Sequence, residues 1–83
     1  MIIDRKREAI IKLVGREYYI FFRTEGKWRP MDTRNPIENE YGRILFLGDG
    51  AWWELEDISE EEGEKIVKEW QSSSRRRHLP VSR

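Results

Sequence analysis

The chain has no cysteine and a single histidine, His78. The first absence excludes a disulfide framework and any zinc site built on thiolates. The second leaves little for nucleophilic catalysis, which needs an activating base within hydrogen-bond reach. No apolar run approaches the roughly twenty residues that a membrane-spanning helix requires. The opening "MIIDRKREAII" lacks the apolar core and small-residue cleavage site of a secretory signal. A cytoplasmic location is the expectation. Net charge is missing too: sixteen Lys and Arg balance sixteen Asp and Glu. That balance argues against a dedicated nucleic-acid binder, whose phosphate affinity comes from clustered cations. Gly48-Asp49-Gly50 lacks the third glycine and following helix of a dinucleotide loop. The acidic run after it lacks the alternating ligands of a calcium loop. The expectation is a protein without catalytic residues, metal or cofactor.

What is present is charge and aromatic rings. Charged residues make up 39% of the 83 residues, and ten aromatics make up 12%. Large rings supply the most buried area per residue, which a core of this size needs. The charge is unevenly spread. Residues 54–71 carry two bases against eight acids, whereas residues 72–83 carry four arginines and no acid.

The stretch "EAIIKLVGREYYIFFRTEGKWRP" reads as three strands broken at glycines, being rich in β-branched and aromatic residues. A tight turn at Gly15-Arg16 pairs Leu13 with Tyr18, Ile11 with Ile20 and Ala9 with Phe22 on one face. The other face pairs Lys12 with Tyr19, Ile10 with Phe21 and Glu8 with Arg23. The first face is the more apolar and is the expected core. Residues 3–14 also fit a helical period in part, through Ile3, Ile10, Leu13 and Val14. A turn at "TEGK" leads to a short strand at Trp28–Arg29, which Pro30 confines to a sheet edge.

Residues 30–42 show no clear period and read as a crossover. In "RILFLGDGAWWELE", Asp49-Gly50 between hydrophobic runs predicts a second hairpin. Its register sends Trp53 inward with Ile44, Phe46 and Leu55, and Trp52 outward beside Leu45 and Leu47. Ser59 followed by Glu62 is a capping box that opens a helix carrying Ile66, Val67 and Trp70 on one face. Gly63 lowers helix propensity there and is explained if the helix start lies close to the sheet.

The expected fold is therefore α+β: a small antiparallel sheet or partly open barrel of four or five strands, formed by two β-hairpins and capped by one C-terminal helix. Residues 1–71 form the domain, and residues 72–83 read as a basic, disordered tail. The order of two hairpins followed by a helix resembles the small SH3-like barrels of archaeal chromatin proteins. No motif is shared, and those proteins are strongly basic where this chain is neutral.

One helix covers one sheet face, so the other is left with more apolar groups than a solvent surface carries comfortably. The expected function is a non-enzymatic interaction module, binding a second copy or another protein. Its contact residues are Tyr19, Phe21, Trp28, Leu45, Leu47 and Trp52, since Trp and Tyr most often dominate interfaces. The alternative is nucleic-acid binding, with sheet aromatics stacking on bases and Lys12, Arg23, Arg29, Arg75, Arg76 and Arg77 meeting phosphates.

Overall fold

The computed structural model describes residues 1–78, with side chains through residue 72. Residues 79–83 lie outside it. Among the described residues the chain forms four strands in succession, β1 (Ile2–Asp4), β2 (Ala9–Val14), β3 (Glu17–Phe22) and β4 (Lys27–Pro30). Helix α1 (Pro36–Leu47), a single 3-10 turn (Trp52–Glu54), strand β5 (Glu56–Asp57) and helix α2 (Glu60–His78) follow. The fold is α+β. All strand pairs are antiparallel and the sheet order is β4-β3-β2-β1-β5. The sheet is open, with β4 and β5 as its edges, so the barrel form is not adopted.

The β2–β3 register is the expected one, from Leu13 opposite Tyr18 to Ala9 opposite Phe22. Gly15 stands at φ 65°, the left-handed region that a tight turn needs at its first central position. Residues 2–4 and 9–14 are strands, not one helix, because Asp4 turns the chain between them. Its Oδ1 accepts from the backbone N–H of Lys6 and Arg7, at 3.1 and 3.3 Å.

Period 2 then sorts the sheet into two apolar faces, and both are covered. Ile3, Ile10 and Phe21 lie beneath Val67, Ile66 and Trp70 of α2. Ala9, Ile11 and Ile20 lie beneath Tyr41 and Leu45 of α1. The result is helix, sheet, helix. The face expected to be the core is thus buried by α1, and α2 takes the opposite face. Gly63 lies against Met1, where a Cβ would collide with the methionine sulfur. The cap of α2 is half of the expected box: Ser59 Oγ accepts from the Glu62 N–H at 3.0 Å.

The second hairpin does not form. Residues 36–47 are helical and residues 52–54 make a 3-10 turn, so none of the pairings proposed for 43–56 exists. The reason lies at both ends of α1. Asn35 Oδ1 accepts from the N–H of Ile37 and Glu38, and Pro36 occupies the first turn. Gly48 closes the helix in the left-handed region at φ 66°, its N–H returning to the carbonyls of Arg43 and Ile44. Asp49-Gly50 therefore follows a helix cap instead of joining two strands. Trp53 and Phe46, expected inside, are exposed at 68% and 64%.

Candidate interaction surface

Helix α1 presents Glu38, Tyr41, Ile44 and Leu45 inward, at the three- and four-residue spacing of one helix face. Phe46 and Leu47 fall outside that face, and the glycine cap then redirects the chain. In the 3-10 turn, the Leu55 N–H reaches Trp52 O at 3.1 Å, which leaves both indoles outside the core. Trp52 and Trp53 meet edge to face, with centroids 6.0 Å apart at 78°. Leu47 is 73% exposed and Trp52 63%. Four large apolar side chains thus stand in water within eight residues.

Beside Trp52 a groove of about 220 Å³ runs between α1 and the β1–β5 edge, while Phe46 packs edge to face on Tyr18 with centroids 5.3 Å apart. Ile2, Ile44, Leu45 and Leu55 give it an apolar floor, and Trp52 borders it. Glu56 and Asp57 supply its polar side. Gly50 lies so close that a Cβ there would stand 3.0 Å from Ile44 Cγ1. Residues 48–57 hold four acids and no base. Only Arg5 on Glu56, at 2.9 Å, and Arg43 on Asp49, at 4.0 Å, offset them through ion pairs seen among the described residues.

Elsewhere the expected site residues are scattered. Tyr19 and Trp28 lie half-buried on the α2 side, where Lys12 Nζ stands 4.2 Å above the Trp28 ring. They border a second groove of about 300 Å³ with Val14, Arg29 and Pro30. Phe21 is fully buried and stacks on Trp70 at 6.3 Å, so it offers no surface. Leu45 and Trp52 both line the α1 groove, and Leu47 is exposed at the end of α1. The expectation of one shared sheet face is corrected by α1, which separates the six residues into two places.

Of the cations expected to meet phosphates, Lys12, Arg23 and Arg29 are engaged within the fold. Arg29 holds Glu38 through two bonds of 2.8 and 2.7 Å and also holds Glu25 at 2.8 and 3.1 Å. These carboxylates raise the Arg29 guanidinium above its ordinary range, and Arg29 in turn pulls Glu25 below the usual carboxylate range. Arg23 pairs with Glu8 at 2.6 Å. The side chains of Arg75, Arg76 and Arg77 lie outside the described residues. No family model matches the chain, and no curated protein or solved structure matches it.

Among the described residues no group of three His, Cys, Asp or Glu side chains is placed to hold a metal ion. No described helix is long and apolar enough to cross a membrane. Phe46 and Trp53 were missed as surface residues because a hairpin register buries them. The signal that identifies them is helical: Asn35-Pro36 at one end and Gly48 at the other, twelve residues apart.

Proposed function

We propose that the protein is a non-enzymatic interaction module that self-associates through the apolar surface of residues 46–53. The observation that carries this reading is the exposure of Phe46, Leu47, Trp52 and Trp53, each above 60%. Aromatic side chains bury about 150–250 Å² each. Three of them at roughly two-thirds exposure, with one leucine, leave on the order of 500 Å² per copy. Pairing two such surfaces buries about 1,000 Å² in all, the lower bound of a specific interface. Charges offer less support for a phosphate-binding surface, because Arg29 and Arg23 are held by glutamates. Sedimentation velocity over a concentration series tests the reading. The wild type is expected to associate, and Trp52→Ala/Trp53→Ala to remain monomeric with an unchanged circular dichroism spectrum. A wild type that stays monomeric at the highest concentrations contradicts it.

A further inference from the structure

The groove beside Trp52 is lined by Ile2, Ile44, Leu45 and Leu55, with Glu56 and Asp57 at its polar side. Its volume of about 220 Å³ falls below the roughly 300–1,000 Å³ of pockets for drug-sized ligands, and suits one large side chain. Trp53 is such a side chain, and it is 68% exposed. Its ring stands 6.0 Å from that of Trp52, yet Trp52 and not Trp53 lines the groove of its own copy. The 3-10 turn fixes this arrangement, with Glu54 N–H donating to Ala51 O at 3.0 Å and Leu55 N–H to Trp52 O at 3.1 Å.

We propose that this groove receives the Trp53 indole of a second copy, the two copies exchanging indoles about a two-fold axis beside Trp52. The inference rests on the self-association reading and adds the site that holds the partner's anchor. The aliphatic floor takes the ring, and the Glu56 and Asp57 carboxylates are the acceptors for its N–H.

A two-fold contact requires one surface to carry both members of each pair, since residue i meets residue j and j meets i. Here the two members are neighbours: Trp53 lies against Trp52, and Trp52 borders the groove. One rotation therefore fills both grooves together. Area favours the same arrangement. Flat pairing of the exposed side chains reaches only about 1,000 Å², the lower bound of a specific interface. Seating each indole in a groove adds the walls formed by Ile2, Ile44 and Leu55 and carries the total above that bound. Tryptophan in a desolvated pocket is also enriched among the residues that dominate interfaces.

NMR on an equimolar mixture of two full-length preparations tests this, one with isotope-labelled Ile and Leu methyl groups and one unlabelled. The expected result is intermolecular nuclear Overhauser contacts from the Trp53 ring of one copy to the Ile44 and Leu55 methyls of the other. Trp53→Ala is expected to lose those contacts and to weaken association at least about thirtyfold, as removal of a dominant interface residue does. A dimer in which Trp53 reaches neither Ile44 nor Leu55 of the other copy overturns the inference while the self-association reading stands. A smaller loss in Trp53→Ala also overturns it, and a monomeric wild type overturns both.

Discussion

Asp4 and Tyr41 show how much a single buried polar pair holds in this chain. Asp4 is 3% exposed and Tyr41 1%, and the phenol donates to Asp4 Oδ2 at 2.6 Å. With Asp4 Oδ1 taking the Lys6 and Arg7 amides, one carboxylate both turns β1 into β2 and fastens α1 to the sheet. Tyr41→Phe leaves a buried oxygen without its donor, at a cost of about 1–3 kcal/mol. Burial, then the hydrogen bond to Asp4, raises the Tyr41 phenol above its ordinary value. The neutral phenol is thus the form that the fold favours. Its contribution is complete below the ordinary tyrosine pKa of about 10 and is lost as pH rises through the raised value. Urea unfolding of wild type and Tyr41→Phe from pH 8 to pH 11 is expected to show their stability difference narrowing above about pH 10. A difference that stays constant to pH 11 contradicts the assignment.

Helix α1 is the element on which the fold depends and the one least legible in the sequence. Its attachment to β4 runs through Glu38, fully buried and held by Arg29 at both carboxylate oxygens and by the Asp32 N–H at 2.7 Å. Arg29→Ala strands that carboxylate, and removing one partner of a buried pair costs about 3–5 kcal/mol. Glu25→Ala removes only the exposed partner and is expected to cost less than about 1 kcal/mol. Equal losses in denaturant midpoint from the two variants would refute this division. The β2–β3 hairpin was legible because its turn glycine and its alternation agree with each other. Helix α2 was legible because Ser59 caps a clean apolar stripe. For α1 the local signals conflict: "RILFL" fits either period, and Asp49-Gly50 next to it is a strong hairpin marker. The signals that decide, Asn35-Pro36 and Gly48, are twelve residues apart, and Asn-Pro also marks turns. Losing that helix left one sheet face bare on paper and placed the apolar surplus on Phe21 and Tyr19.

At the scale of the whole molecule, α1 and α2 each cover one face of the sheet among the described residues. The surplus apolar surface is instead displaced to the end of α1, where Gly48 stops the helix and the 3-10 turn holds two indoles in solvent. The charges follow the same division. Arg29 and Arg23 pair with Glu38 and Glu8 at part-buried positions, and Arg7 pairs with Glu40 at the surface. The acids of residues 49–57 remain beside the exposed indoles.

Tryptophan emission across a dilution series tests the central claim most directly, because the proposed contact removes Trp52 and Trp53 from water. The expected result is a red-shifted maximum at high dilution that moves to shorter wavelength as wild-type concentration rises, and no such movement in Trp52→Ala/Trp53→Ala. A wild-type maximum that stays fixed over the same range would contradict self-association through this surface.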